Sequence, residues 1–294
     1  MAAFKLGYNE ACTRDIADLR ADIIDAGRAG FDFIEMRFDC VRAFLDSGGR
    51  LGEIGSLFED LPIKPATQNA LYLYPHCLED SDHGDRRDAF ERDLELLEML
   101  HDEAHVQGAV VVAPLLHDEG EASAFERGFV LDDCARALDA LAARLPWCNL
   151  AFEPVGLSRS LVRNLGDALD IVRKAGSPRC TLALDSCNLF LEHLRSDFDF
   201  SALKAREIGA VHLMNGVDPG HRPEDQSFRR FCGDGEWVDT GLFVRELLKT
   251  GYAGMVSTEV FHPLYEQELT RADLIARACQ SLKLAIFEAL GGRA

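Results

Sequence analysis

Short apolar runs alternate with longer amphipathic stretches along the whole chain of 294 residues. Several of the short runs are continuously apolar, as in Val110-Val111-Val112-Ala113. Continuous runs of this kind are typical of strands that are buried on both faces, which is the situation in a parallel sheet covered by helices. The pattern predicts eight strands, at residues 4–8, 31–38, 66–74, 109–116, 148–152, 180–184, 210–214 and 255–260.

The amphipathic stretches between these runs predict helices. Apolar residues recur in them every three or four positions, which places one apolar stripe along each helix. The longer predicted helices lie at residues 15–29, 86–105, 131–141, 161–172, 243–248 and 274–286, and shorter ones lie at 51–59 and 200–208.

Regular alternation of strands and helices requires a parallel sheet, which is either open or closed. Eight pairs, in a chain somewhat longer than the roughly 250 residues typical of such barrels, favour a closed (β/α)8 TIM barrel of the α/β class. We expect a single domain over residues 1–294, because no linker-like segment divides the chain. An open sheet usually begins with a Gly-rich turn, whereas the first strand here ends in Gly7-Tyr8-Asn9-Glu10, so dinucleotide and P-loop phosphate chemistry find no support.

The charge balance constrains the partners. The chain carries 31 Lys and Arg against 50 Asp and Glu, a net charge of -19. Such a surface repels nucleic acid and anionic lipid, and no apolar run reaches the roughly 18 residues of a membrane span. The nine scattered cysteines include no Cys-x-x-Cys pair, and the first residues show no secretory pattern, so we expect a cytoplasmic protein with free thiols.

Polar residues stand at the ends of the last four predicted strands. Glu153 follows the fifth strand, Asp185 follows the sixth, and His212 and Glu259 lie near the ends of the seventh and eighth. Each alone would be an ordinary loop carboxylate or core histidine, but the strand ends of a barrel meet at one mouth. Three converging carboxylates are destabilising unless a cation neutralises them. The four residues therefore predict one divalent ion, with Mn²⁺ expected and Mg²⁺, Co²⁺ or Zn²⁺ also suited to these ligands.

Seven short motifs together resemble the xylose isomerase-like TIM barrel superfamily of sugar phosphate isomerases and epimerases. Their order and spacing span nearly the whole chain. They are Gly30-Phe31-Asp32-Phe33-Ile34-Glu35, Phe152-Glu153-Pro154, Leu182-Ala183-Leu184-Asp185, Val211-His212-Leu213, Phe231-Cys232-Gly233-Asp234-Gly235-Glu236, Gly251-Tyr252-Ala253-Gly254 and Ser257-Thr258-Glu259-Val260-Phe261. The resemblance implies a metal held by Glu153, Asp185, His212 and Glu259.

The resemblance also implies a reaction. A divalent ion would polarise the carbonyl of a ketose, sugar phosphate or keto-cyclitol and stabilise an enediolate. Ketose epimerases of this superfamily assign proton removal and return to the residues that match Glu153 and Glu259. The same enolate chemistry gives a lyase when a hydroxyl is expelled, so a dehydratase similar to those acting on inosose or 3-dehydroshikimate is the alternative.

Residues that bind substrate are expected around this centre. Relatives often read Asp-x-x-His after the sixth strand, whereas this chain has Asn188 in the histidine's place. Relatives also place an arginine in the loop after His212, for which Arg222, Arg229 and Arg230 are all candidates, and we assign Arg222 as the working choice.

Two further strand-end residues are candidates for substrate contact. Arg37 ends the second strand and could pair with a carboxylate or phosphate of the substrate, or instead with Glu35 or Asp39. His262 follows the eighth strand, where a histidine could face either the mouth of the barrel or the surface.

Other functions fit less well. Abasic-site endonucleases share the superfamily, but they use a histidine-rich three-zinc cluster and must approach phosphate, which the net charge of -19 opposes. A binding barrel without catalysis would have no reason to keep a costly acidic cluster. The resemblance further suggests a homo-oligomer, a dimer or a tetramer.

Overall fold

The computed structural model describes residues 4–79, 84–116, 119–193, 198–220, 223 and 225–292. Eight parallel strands close into a barrel in which β1 pairs with both β2 and β10, so the predicted single-domain (β/α)8 fold is confirmed. The barrel strands are β1 (Lys5–Asn9), β2 (Phe33–Arg37), β3 (Lys64–Tyr72), β4 (Gly108–Ala113), β5 (Cys148–Phe152), β6 (Cys180–Asp185), β7 (Ile208–His212) and β10 (Met255–Thr258). Two-residue strands β8 (Asn215–Gly216) and β9 (Arg229–Arg230) form a separate antiparallel pair.

Helices surround the barrel. They are α1 (Leu19–Ala29), α2 (Phe38–Asp46), α3 (Leu51–Asp60), α4 (Asp85–Ala104), α5 (Glu119–Ala122), α6 (Arg127–Arg144), α7 (Leu165–Ala175), α8 (Ser186–His193), α9 (Thr240–Lys249), α10 (Pro263–Glu268) and α11 (Arg271–Ala289). Helix α1 shows why the ends fall where they do. The Asp18 side chain accepts a hydrogen bond from the Ala21 amide, and Gly30 ends the helix with a φ of 90°. No helix in the described ranges is both long and apolar enough to cross a membrane.

The barrel core explains the apolar runs. Val110, Val111 and Val112 on β4 are all fully buried, because helices cover the outside of the barrel while the strands pack against one another inside. Small side chains face inward at one level, where Ala151 and Ala183 pack together. Two residues further along the same strands, at the mouth of the barrel, larger polar side chains follow these alanines.

The predicted helix at residues 200–208 is wrong. That stretch has one 3-10 turn, Ala205–Glu207, while the helix after β6 is α8, which begins directly after Asp185. The apolar residue Phe200 anchors the irregular segment by packing edge-to-face on Phe243, with ring centroids 5.2 Å apart. The apolar pattern therefore reflected burial of a loop rather than one face of a helix.

Several predicted boundaries also shift. The predicted strand 31–38 ends at Arg37, where α2 begins without a loop, and the predicted strand 255–260 ends at Thr258. Glu259 therefore lies just beyond β10, on the loop at the barrel mouth. In the predicted helix 15–29, Asp15 and Ile16 belong to a 3-10 helix, Glu10–Ile16, and the α-helix begins only at Leu19.

Candidate metal centre

Four side chains converge at the carboxyl ends of adjacent strands. Glu153 follows β5, Asp185 ends β6, His212 ends β7 and Glu259 follows β10. One ligand atom from each lies within 4.8 Å of every other, and all four side chains are buried. The structure thus brings together the four residues that the sequence singled out as metal ligands.

The geometry centres on Nδ1 of His212. This nitrogen lies 3.7 Å from Oδ2 of Asp185, 3.8 Å from Oε2 of Glu259 and 3.9 Å from Oε1 of Glu153. Neither His212 Nδ1 nor Asp185 Oδ2 has a hydrogen-bond partner among the described residues, although both are buried. Buried polar atoms without partners are costly, and these two atoms lie 3.7 Å apart. A divalent cation with oxygen and imidazole ligands fits such a donor set.

The other ring nitrogen of His212 is held by a carboxylate. Nε2 lies 3.1 Å from Oε2 of Glu35, which is itself fully buried on β2. The opposite oxygen of Glu35 accepts hydrogen bonds from the side-chain amides of Asn9 and Asn69, each at 2.8 Å. In the neutral imidazole that metal binding requires, a carboxylate in this position fixes the proton on Nε2 and leaves the Nδ1 lone pair facing the cluster.

A buried arginine completes the charge balance. Nη1 of Arg229 donates to Oε2 of Glu259 at 2.7 Å and lies 3.0 Å from Oδ2 of Asp185. Arg37 approaches the other oxygen of Glu259, at 3.8 Å. The two guanidinium groups therefore offset part of the negative charge that the three carboxylates bring together.

Burial and neighbouring charges move the pKa values of these groups apart. Burial, assisted by the negative charge of Glu259, raises the pKa of Glu153 to about 8. Burial would also raise the pKa of Asp185, but the Arg229 guanidinium, His212 and the Asn188 backbone amide together outweigh it, and the pKa is lowered. Burial alone would lower the pKa of His212, whereas the carboxylates around it, Glu35 foremost, raise it well above its usual value. With its pKa raised in this way, the imidazole also carries positive charge beside the carboxylates.

Asn188 holds Glu153 in place. In the first turn of α8, its side-chain Nδ2 donates to Oε1 of Glu153 at 2.8 Å, and its backbone amide donates to Oδ1 of Asp185 at 2.7 Å. Its side-chain oxygen accepts the Gly156 amide at 3.2 Å. The side-chain amide is therefore engaged with the protein on both sides, and the structure gives Asn188 a positioning role beside its predicted contact with substrate.

A cavity of about 510 Å³ opens at the barrel mouth, and its wall includes Arg37, which approaches Glu259, but none of the four cluster residues. Both Arg37 and His262, expected to contact substrate, lie in its wall. Arg37 also pairs with Asp39, its Nε lying 3.2 Å from Oδ1, and its guanidinium lies over the Phe261 ring at 5.4 Å. Burial, together with the charge of Arg230, lowers the pKa of His262.

The remaining substrate-binding candidate, Arg222, lies outside the described residues. Of the other two arginines in that loop, Arg229 reaches the cluster, whereas Nη1 of Arg230 donates to the backbone carbonyls of Ser227 and Arg229. The sequence alone could not choose among the three, because nothing in a loop's residue pattern tells which side chain turns inward. Glu35 carried a visible signal, since it is a carboxylate at the end of an apolar strand.

Comparison with known proteins agrees with this architecture. Residues 23–284 match a family described as the xylose isomerase-like TIM barrel. An inosose isomerase of Halalkalibacterium halodurans is 26% identical over 270 residues, which cover 90% of each chain. An inosose isomerase of Bacillus velezensis is 25% identical over 288 residues, covering 96% of this chain and 97% of that one.

A solved structure has the same fold over nearly its whole length. The crystal structure of the IOLI protein with a binding zinc atom superposes with a TM-score of 0.84 at 22% identity, covering 97% of this chain and 99% of that chain. At this level of identity the likeness concerns the arrangement of strands and helices rather than the reaction.

Proposed function

Because the chain belongs to the xylose isomerase-like TIM barrel family, we propose that it is a metal-dependent isomerase or epimerase of a ketose or keto-cyclitol. The relatives and the buried cluster together support an enzyme of the sugar-isomerase type that acts on a small molecule. Isomerisation, as opposed to a related reaction on the same scaffold, is our proposal.

One observation carries the proposal. The four ligand atoms of Glu153, Asp185, His212 and Glu259 meet within 4.8 Å of one another, at the carboxyl end of a closed barrel. This is the end of the fold at which TIM-barrel enzymes place their chemistry. A cavity large enough for a small polyol lies at the same mouth, with Arg37 and His262 in its wall.

A divalent ion held by these four residues would polarise a substrate carbonyl and stabilise the negative charge of an enediolate. The chain's own groups do the rest. Glu153 and Glu259 each approach His212 Nδ1 with one carboxylate oxygen, at 3.9 and 3.8 Å. The second oxygen of Glu153 accepts no hydrogen bond from the described residues, and the second oxygen of Glu259 accepts one from Asn69 at 2.9 Å. Each carboxylate thus has an oxygen that could take or return a proton on carbon.

Two carboxylates from separate strands can serve opposite sides of a bound substrate. Glu153 leaves the barrel after β5 and Glu259 leaves it after β10, with β6 and β7 between them. Asn188 and Asn69 hold the two carboxylates in fixed orientations. Removal of a proton by one carboxylate and its return to the same carbon by the other would invert that centre. Return of the proton to the former carbonyl carbon, with the hydroxyl proton passing from one oxygen to the other, would instead move the carbonyl and give an isomer.

The relatives point to the substrate class. Both reported relatives are named inosose isomerases, and a keto-cyclitol presents a ketone beside a hydroxyl, as a ketose does. We therefore propose inososes as the first substrates to test, with ketohexoses and their phosphates next. Mn²⁺ is the proposed ion, with Zn²⁺ as the ion to compare because the IOLI structure contains it.

The test is proton exchange at carbon. The protein, loaded with Mn²⁺ or Zn²⁺, is incubated in D₂O with inososes, ketohexoses, ketohexose phosphates and 3-dehydroshikimate, and NMR follows deuterium entering the carbon beside the ketone. We expect exchange together with formation of an isomer. Glu153→Gln and Glu259→Gln should each abolish both, while Asp185→Asn should mainly weaken metal binding.

A charge-matched control is Glu98→Gln, because Glu98 lies on the exposed side of α4 and pairs with Arg144. It should exchange deuterium at the wild-type rate. Loss of water from the substrate instead of isomer formation would assign the lyase alternative. Full exchange in both active-site glutamine variants would reject the two glutamates as the proton-transfer pair, and absence of metal binding would favour a barrel that only binds a ligand.

A further inference from the structure

Arg229 and the proposed metal ion require the same carboxylate oxygens. Nη1 of Arg229 lies 2.7 Å from Oε2 of Glu259 and 3.0 Å from Oδ2 of Asp185. These are the two oxygens that stand 3.8 and 3.7 Å from Nδ1 of His212. The Arg229 guanidinium therefore contacts the same two carboxylate oxygens that face the imidazole.

The guanidinium is held by only one of its three nitrogens. Nη1 also donates to the backbone carbonyl of Glu259 at 3.0 Å, but Nε and Nη2 have no hydrogen-bond partner among the described residues, although Arg229 is fully buried. The Phe261 ring lies 5.7 Å from the guanidinium carbon. Unsatisfied donors in a buried group are costly, so a turn of the guanidinium toward other acceptors would be compensated where it satisfies Nε and Nη2.

The backbone around Arg229 is local and short. The residue begins the two-residue strand β9, which pairs with β8, and residues 225–227 just before it line the cavity at the barrel mouth. No barrel strand carries Arg229, in contrast to Asp185, which it contacts. The position of its side chain is therefore not fixed by the backbone of a barrel strand.

We propose that Arg229 is an internal cation that competes with the divalent ion for Glu259 and Asp185, so that metal binding displaces the guanidinium from these oxygens. The inference rests on the metal site of the proposed function and adds a control on its occupancy. Arg229 stabilises the carboxylate cluster when no ion is bound, and it weakens the ion's affinity because two positive charges share buried acceptors with little screening.

Removal of the charge should therefore have two opposite effects. The ion should bind more tightly, because it no longer displaces a cation. The protein without an ion should be less stable, because the carboxylates of Glu153, Asp185 and Glu259 lose a counter-charge. If Arg229 had only a structural role, its removal would instead lower both the metal affinity and the stability of the protein.

The experiment measures metal affinity rather than turnover. Wild-type protein and Arg229→Gln are stripped with EDTA and titrated with Mn²⁺ and Zn²⁺ by calorimetry, with a competing chelator where binding is tight. We expect the variant to bind at least tenfold more tightly, a lower melting temperature after chelation, and a wider gap between chelated and metal-loaded melting temperatures. Equal or weaker affinity in Arg229→Gln would overturn the inference.

Arg230→Gln is the matched control. It removes the same charge from the next residue, whose Nη1 donates to the carbonyls of Ser227 and Arg229. Its affinity should stay within threefold of wild type, and a tenfold increase there would mean that net charge, not the position of Arg229, governs binding. Arg229→Lys keeps the charge, so tenfold tighter binding in that variant would also contradict the inference.

A measurement on the wild-type protein covers the case in which the glutamine variant does not fold. The side-chain Nε–H signal of Arg229 in NMR spectra should shift when Zn²⁺ is added, while that of Arg230 stays in place. An unchanged Arg229 signal at saturating Zn²⁺ would overturn the inference while leaving the proposed function intact. If no ion binds to the wild type or the variant, the proposed metal site fails, and this inference fails with it.

Discussion

Glu35 is a second residue, beside Arg229, through which we expect the metal affinity to change without touching a ligand. We consider Glu35→Gln, which keeps the size and shape of the side chain and replaces one oxygen by an NH₂ group. One oxygen of Glu35 accepts from both Asn9 and Asn69 at 2.8 Å, and the other faces Nε2 of His212 at 3.1 Å. An NH₂ group on the first side would face two donors, so the glutamine should keep its oxygen there and turn its NH₂ toward His212.

That orientation changes the imidazole. In the neutral imidazole, Nε2 of His212 would then have to accept a hydrogen bond, which moves the proton to Nδ1, the atom that lies 3.7 Å from Asp185 Oδ2. Nδ1, the nitrogen that faces the metal site, would then have no free lone pair for an ion unless the ring changed to the other tautomer at a cost in free energy. Loss of such an outer carboxylate typically lowers metal affinity by about 10- to 100-fold, or about 1.4 to 2.7 kcal/mol.

Calorimetric titration with Zn²⁺ gives the affinity, and long-range ¹H–¹⁵N spectra of the protein without metal report which ring nitrogen carries the proton. Ser257→Ala serves as the control. The Ser257 hydroxyl donates a long hydrogen bond of 3.4 Å to the Glu35 oxygen that faces His212, so we expect the variant's metal affinity to stay within threefold of wild type. If Glu35→Gln bound Zn²⁺ within threefold of wild type with an unchanged tautomer, the account of His212 given above would be refuted.

Three other expectations follow from the structure. Chelation with EDTA should lower the melting temperature and Mn²⁺ should restore it, because a ligand of the folded state adds stability by mass action; identical melting curves would count against a metal site. Burial raises the pKa of Asp22 to about 7 despite Arg271, so the folded state holds a proton that the unfolded state has released, and stability falls as pH rises from roughly 4 to 7. Asp22→Asn should remove this pH dependence. In urea unfolding, the free energy of unfolding of the variant relative to wild type should therefore rise across that range, and parallel pH profiles would contradict the assignment. Phe243→Ala should cost about 3 to 5 kcal/mol in urea unfolding, because the ring is fully buried and meets Phe198 edge-to-face at 5.0 Å; a loss below about 1 kcal/mol would show that the site repacks.

The eight strands and the four converging residues were predictable because both depend on local patterns. A strand such as β4 must be apolar throughout when both of its faces are covered, and Val110 to Val112 show this directly in the sequence. Once eight parallel strands are recognised, their ends must meet at one mouth. Residues such as Asp185 and His212 at those ends are then neighbours whatever the loops do.

The charges and hydrogen bonds around those residues depended on the three-dimensional arrangement. Arg229 reaches Glu259 across 30 positions of sequence, and Glu35 reaches His212 across 177. Such partners are joined by barrel closure and loop path, which no local pattern encodes, and the apolar residue Phe200 misled the helix prediction for the same reason. Hydrophobic periodicity records which side chains are buried, whereas the partner that each buried polar atom finds is settled only when distant segments pack together.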